Sequence, residues 1–345
     1  MNSYEKEIDR QNDAEYSRNL KKLMGPLLVA SAAILLGSST FIKTYYPLHW
    51  IPPWTQIWIR YLIATITLGM VHSFSKHPVN KEPATIAIAE TPENPASFER
   101  FSSIKLFGIA FTGYFISSGG IILGQKPANE PTATLLLSSF PMLFMFFLGI
   151  FVERESLSFR KLFSVLVTLS GIGILILKDG TLFPFINATT WYADSWLLIS
   201  AFFWAFQAVL IKQEAKTYST LYLTLSACGI ATLLITPLMI IELWKLGKLL
   251  TIWQLILNDF HIDLSFLYLG IVVTAAAFYM WNRGIELMDL SKAAVLYTLY
   301  PLTSQVLQAV FVTKDIGMSF EVGAAILLLG MYWMIRQEDA SEQNI

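Results

Sequence analysis

One arginine, Arg60, interrupts an otherwise uncharged apolar run, residues 54–71. A charge at membrane depth costs from about 2.5 to over 10 kcal/mol, so it is retained for a function or for a partner. Its planar fork suits a carboxylate or phosphate on a bound solute. Two structural roles compete with that one. Arg60 lies about two turns from the outer end of its run, close enough to snorkel to headgroups, and it could instead brace neighbouring helices through backbone carbonyls. A second group of polar and aromatic residues sits in other apolar runs: Tyr114 with Ser117 and Ser118, Trp204 with Gln207, Tyr279 with Asn282, and Tyr297, Tyr300, Ser304 and Gln308. The last four are spaced by three and four residues, which places them on one helix face. Such a stripe suits a pocket for a small amphipathic, ring-bearing or zwitterionic solute. Interfacial anchoring by Tyr and Trp, and helix packing by small hydroxyls, are the competing roles; packing is the expectation for Ser117 and Ser118. The binding set read from the sequence is Arg60, Tyr114, Trp204, Gln207, Tyr279, Asn282, Tyr297, Tyr300, Ser304 and Gln308.

Other chemistries lack their residues. No acid falls at mid-run: Glu130 and Glu321 lie near ends, and Glu153, Glu155 and Glu286 lie at an edge. Facilitated diffusion, exchange or coupling at Glu130 is therefore favoured over a central carboxylate relay. His49, His72, His77 and His261 fall near or outside run ends and form no metal cluster. Cys228, the one cysteine, lies in an apolar run and reads as a small packing residue. No glycine-rich phosphate loop is present, so ATP is not the driver and no cofactor is implied. A membrane-embedded enzyme would need acids, histidines or a nucleophile converging at one depth, and none converge. With a net charge of -1 there is no basic footprint for nucleic acid.

The elements that must position these residues are membrane spans. Of 345 residues, 54% are hydrophobic and 14% charged, where soluble domains carry about 25% charged residues. After a polar tail, 1–22, with five acids, five bases and no secretory signal pattern, uncharged or nearly uncharged runs follow at 23–42, 54–71, 106–125, 131–152, 162–177, 195–211, 217–241, 264–282, 293–313 and 316–335. That predicts an all-α polytopic membrane protein with ten transmembrane helices. With the amino terminus inside, 17 Lys and Arg fall on cytosolic segments and 6 on external ones, so both termini are expected in the cytosol. The cytosolic loop 73–103, with Pro78, Pro83, Pro92 and Pro95, reads as a flexible linker. The external LLTIWQLILN, 249–258, is too short to span and reads as an interfacial amphipathic helix.

The runs repeat. At an offset of 160, Ala133 meets Ala293, Pro141 meets Pro301, Phe151 meets Phe311 and Glu155 meets Asp315; at 159, Gly171 meets Gly330 and Ser164 meets Gly323. A Gly-x-x-x-Thr occurs at Gly108/Thr112 and again at Gly270/Thr274. Two units, 23–178 and 193–336, then hold five spans each, followed by a tail at 337–345. An odd number forces the second unit to enter from the opposite side, the inverted repeat of alternating-access carriers with a site near the midplane. Gly171 with Gly173, and Gly323 with Gly330, are expected to let backbones approach at the fourth–fifth and ninth–tenth span contacts.

In this order and spacing the residues resemble the EamA-type members of the drug/metabolite transporter (DMT) superfamily, across nearly all of 27–335. The matching pieces are Leu36-Gly37-Ser38-Ser39 with Lys43, Arg60, Pro141 with Glu155-Ser156-Leu157-Ser158, Trp204-Ala205, Tyr268-Leu269-Gly270, Trp281-Asn282, Ser291-Lys292-Ala293-Ala294, Pro301 and Gly323-Ala324. Leu36, Asp315 and Ser164 depart from the family's Trp, Glu and Gly. The resemblance implies a multi-pass protein of a bacterial inner (cell) membrane. It also implies a secondary transporter, permease or exporter, moving a small-molecule solute around a central cavity. A non-transporting receptor or scaffold is the rival. The partners expected are the solute and the lipid bilayer; a homodimer stays open.

Overall fold

The computed structural model describes residues 23–42, 48–75, 104–125, 130–176, 191–249, 251–311 and 318–336. Both tails, nearly all of the 73–103 loop and Asp315 lie outside them, as do the side chains of Glu130 and Ala133. The described secondary structure is helical, with no strand. In chain order the helices are α1 (Leu23–Ile42), α2 (Pro53–Phe74), α3 (Ile104–Gly124), α4 (Glu130–Phe151), α5 (Phe159–Ile176), α6 (Trp191–Glu214), α7 (Thr220–Lys245), α8 (Thr251–Asn258), α9 (Phe260–Leu287), α10 (Leu290–Leu296), α11 (Leu299–Phe311) and α12 (Met318–Ile335). By length and composition seven of the described helices can cross a membrane: α1, α2, α3, α6, α7, α9 and α12.

The ninth apolar run is not one helix. It divides at Tyr297 and Thr298 into α10 and α11. Pro301 offers no N–H to the carbonyl of Tyr297, four residues back, and its ring crowds that carbonyl. The carbonyl turns instead to the N–H of Tyr300 at 2.9 Å, and the Thr298 hydroxyl bonds the Val295 carbonyl at 2.6 Å. The expectation of one continuous face through Tyr297, Tyr300, Ser304 and Gln308 is thereby corrected, since Tyr297 belongs to the break. Pro141, in the matching place, leaves α4 uninterrupted.

Two helices share another irregularity. The α3 backbone is π-helical over Ala110–Ile116 and that of α9 over Tyr268–Ala276, the first overlapping its Gly-x-x-x-Thr and the second containing it. Such wide turns free backbone groups and occur frequently at functional sites.

Helices α5 and α12 pack by a reciprocal contact. A β-carbon on Gly171 would lie 2.5 Å from the Leu327 nitrogen and 2.8 Å from the Gly323 oxygen; one on Gly330 would lie 2.9 Å from the Thr168 nitrogen and 3.0 Å from the Ser164 oxygen. Residues 171, 168 and 164 of one helix thus play the parts that 330, 327 and 323 play on the other. Gly171 and Gly330 allow this approach between the fifth and tenth runs, not within the fourth–fifth or ninth–tenth pairs, and nothing lies within 4 Å of a β-carbon on Gly173. Helix α8 packs down on the bundle, with Ile252 and Ile256 buried and Trp253 edge-on to Trp58 at 6.1 Å.

Two helices receive their N-terminal caps from elsewhere in the chain. Helix α2 begins after Pro52, which has no side-chain acceptor, and Glu242 of α7 accepts from the N–H groups of Trp54 (3.3 Å) and Thr55 (3.1 Å). Helix α10 begins after Asp289, whose carboxylate is paired with Lys161 at 3.4 Å; Glu155 instead accepts from the N–H groups of Leu290 (2.5 Å) and Ser291 (3.0 Å). A carboxylate on the first free N–H groups satisfies orphan donors and complements the helix dipole.

Candidate functional site

A cavity of about 590 Å³ opens among α1, α2, α3, α4, α6, α9 and α11, within the range that holds small ligands. It runs from mid-depth toward one end of the bundle. It is lined by the early residues Ile57 and Arg60 of α2 and Leu137 and Pro141 of α4, by the later residues of α1 and α3, Leu36 to Thr40 and Gly113 to Ile121, and nearer mid-depth by Ser200 to Trp204 of α6 and Phe278 of α9. The opposite end carries the ion pairs found among the described residues: Lys105–Glu214 at 2.6 Å, Lys161–Asp289 at 3.4 Å, Lys212–Glu155 at 3.4 Å and Arg283–Glu286 at 2.6 Å. These sit where α3 and α5 begin and where α4, α6 and α9 end.

Arg60, Trp204, Tyr297, Tyr300 and Gln308 line the cavity. Arg60 also braces: its Nε and Nη2 donate to the Thr274 hydroxyl at 3.4 and 3.3 Å, and Thr274 in turn donates to the carbonyl of Leu269, five residues back, inside the π-helical stretch of α9. The brace is a side-chain hydroxyl, not a backbone carbonyl. Among the described residues no carboxylate comes within ion-pairing distance of Arg60.

The other five lie around the cavity without lining it. Asn282 is buried, its Nδ2 donating to the Tyr114 hydroxyl (3.2 Å) and the Thr224 hydroxyl (2.9 Å). Gln207 is buried against Gly113. Tyr279 packs on the core, and the buried Ser304 hydroxyl accepts from Gln308 Nε2 at 3.2 Å. Ser117 packs, its carbonyl accepting from the Ser200 hydroxyl at 2.7 Å, and it also lines the cavity. Ser118 shares a 2.8 Å hydrogen bond with the Tyr61 hydroxyl and lines the cavity.

Tyr61 and Phe278 are lining residues that polarity did not single out. They complete an aromatic wall. Trp204 lies 5.5 Å from Phe278, Phe278 lies 6.5 Å from Tyr61, and Tyr297 stacks on Tyr300 at 5.6 Å and 13°. Their signal was positional: Tyr61 follows Arg60, and Phe278 lies one turn from Asn282. The wall combines stacked and tilted ring pairs, which present both ring faces and edges.

Apolar spanning helices around an internal, partly polar cavity define an integral, multi-pass membrane protein. The EamA-like transporter family matches residues 191–336. The chain is 33% identical over 73 residues to the permease-like protein YdzE of Bacillus subtilis, covering 94% of that protein and 21% of this chain. It is 21% identical to the uncharacterized transporter YetK of the same species, over 93% of this chain and 91% of YetK. A solved crystal structure shares the fold at a TM-score of 0.68 and 17% identity, covering 90% of this chain and 94% of its own. The chain belongs to the EamA-like transporter family, an EamA-type branch of the DMT superfamily, and is a membrane transporter.

Proposed function

We propose that the protein is a secondary transporter that moves a small organic solute by alternating access, in a bacterial cell membrane with both termini in the cytosol. The observation that carries this reading is the division of the bundle by depth: a cavity bounded by residues of both sequence units that reaches from mid-depth to one end, and ion pairs across the other end. Ten spans in two inverted units of five would give one cavity two symmetry-related ways to open. The reciprocal α5–α12 contact and the paired π-helical stretches support that duplication. In this reading the ion-paired half is the cytosolic one, the cavity belongs to a state closed on that side, and the Glu155–Lys212 contact must part for release inward. The binding set is Arg60, Trp204, Tyr297, Tyr300 and Gln308, supported from behind by Tyr114, Gln207, Tyr279, Asn282 and Ser304.

Reconstitution of the purified chain in vesicles tests this. Saturable flux of at least one member of a panel of amino acids, nucleosides, S-adenosylmethionine, organic acids and cationic drugs is expected, reduced by Tyr300→Ala. No protein-dependent flux of any of them would leave a receptor or scaffold as the better reading.

A further inference from the structure

We infer that the solute is an organic monoanion, a single carboxylate-like head on a flat apolar body, and not a zwitterion or a cation. This rests on the transport reading of the same cavity, and it follows from charge and donor balance in the lining. Among the described residues Arg60 is the one formally charged side chain in the lining, which holds no described Asp, Glu, Lys or His. Its neighbours leave the charge uncompensated. Two of its five N–H donors share a single hydroxyl, Thr274 Oγ1, at 3.4 and 3.3 Å. Glu242, the carboxylate at the start of the helix that carries Arg60, is engaged with the N–H groups of Trp54 and Thr55. Trp204 adds a second donor, because its indole N–H is buried with no hydrogen-bond partner among the described residues. An anionic head can use both, a guanidinium fork being shaped for a carboxylate.

A cation gains nothing comparable. Aromatic faces attract an ammonium group, but Arg60 repels it from the same space, and no acid among the described lining residues offsets that repulsion. A zwitterion can satisfy Arg60, yet its ammonium must then be desolvated without a carboxylate partner. The wall formed by Trp204, Phe278, Tyr297 and Tyr300 receives an apolar, flat body, whose ring can stack or meet edges. Specificity would thus be built as much on what the lining lacks as on what it supplies.

Four probes of one shape decide the matter: 3-phenylpropionate, its alcohol, phenylalanine and 3-phenylpropylamine. Each is tested for binding by thermal shift of the full chain in detergent and for flux in phosphatidylcholine vesicles. The expected ranking puts 3-phenylpropionate at least about tenfold ahead of the other three, the amine last. Arg60→Gln should abolish the lead of the anion over the alcohol, and Arg60→Lys should retain part of it. Equal or better binding of phenylalanine or the amine overturns the inference, as does an undiminished anion preference in Arg60→Gln. The wild-type ranking decides alone if that variant does not fold. Displacement of 3-phenylpropionate by adding phosphatidylglycerol to the vesicles would assign the arginine to a lipid headgroup and also overturn it. The two layers fail separately. Flux of the alcohol or phenylalanine without the anion refutes the monoanion and keeps the transporter; Arg60-dependent binding of the anion without flux of any probe keeps the site and refutes transport through it.

Discussion

The two ends of the bundle are held by the same device in different company. At one end Glu155 caps α10, with its carboxylate 6% exposed and Lys212 at 3.4 Å. The Lys212 ammonium also bonds the Met288 carbonyl at 2.9 Å, tying α6 to the joint between α9 and α10. Arg154, which precedes Glu155, adopts a left-handed backbone with φ of 56°, a conformation costing a non-glycine residue roughly 1–2 kcal/mol. The turn is retained because it returns the carboxylate to α10. At the other end Glu242 caps α2, but beside it lies a cavity whose one charge has no ion-pair partner among the described residues. One end is closed by compensated charge; the other is left with charge to compensate. In the proposed transport cycle a solute complements the second, and separation of Glu155 from Lys212 would be the cost of opening the first.

The largest expected effect removes the frame that both ends share. Gly330→Leu would drive a side chain into Thr168, whose nitrogen lies 2.9 Å from a β-carbon there, and overpacking against backbone costs about 1–3 kcal/mol or more. Most of the monodisperse protein recovered in mild detergent should be lost. Gly173→Leu, where nothing lies within 4 Å, should leave recovery near wild type. Equal recovery of the two variants would show that the α5–α12 contact is not the spine.

Glu155→Ala comes next. It strands Lys212 and uncaps α10, and removing one partner of a buried pair costs about 3–5 kcal/mol. A lower melting temperature is expected, together with faster thiol labelling of a cysteine introduced by Ser291→Cys at the capped turn. Glu155→Gln should do less, because an amide oxygen still accepts from one of the two N–H groups. Unchanged labelling in Glu155→Ala would mean that the ion-paired end is held by something else. Glu242→Gln sharpens the contrast from the opposite end: a loss of about 1 kcal/mol is expected as the start of α2 frays, with no change in labelling at residue 291.

These contacts also mark how far the sequence could be read. Helix and apolarity were legible because hydropathy is a local property, and the runs around Arg60 and Pro301 stand out without any neighbour. The break at Tyr297 was not, since Pro301 divides its helix and Pro141, at the matching place, does not; the surroundings decide. Spacing put Ser304 and Gln308 on a face but could not say which way the face turns, and Ser304 is buried. Tyr114 and Asn282 are polar for each other's sake, closing a hydrogen bond between α3 and α9 that no pattern within either helix announces. Phe278 lines the cavity without any polar signal, and Glu242 lay one residue beyond the apolar run that ended at Ile241.

The smallest effect discriminates most finely. Tyr300 stacks on Tyr297 at 5.6 Å with the rings 13° apart, and its carbonyl lies 2.5 Å from where a β-carbon on Gly37 of α1 would be. The backbone at Tyr300 is therefore fixed by α1, and the ring is fixed by its neighbour in the break between α10 and α11. Tyr300→Phe keeps both constraints and deletes only the hydroxyl. If the aromatic wall acts through its faces, vesicle flux should fall by less than about threefold, below the roughly fivefold that loss of one neutral hydrogen bond of about 1 kcal/mol would give. Tyr300→Ala, which unstacks Tyr297 and opens the wall, should cost about tenfold or more. Flux lost equally in both variants would move the essential contact from the ring to the hydroxyl. The solute would then be held by polar groups at the cavity end of the bundle, and the contrast between an apolar receiving wall and an ion-paired closed end would have to be redrawn.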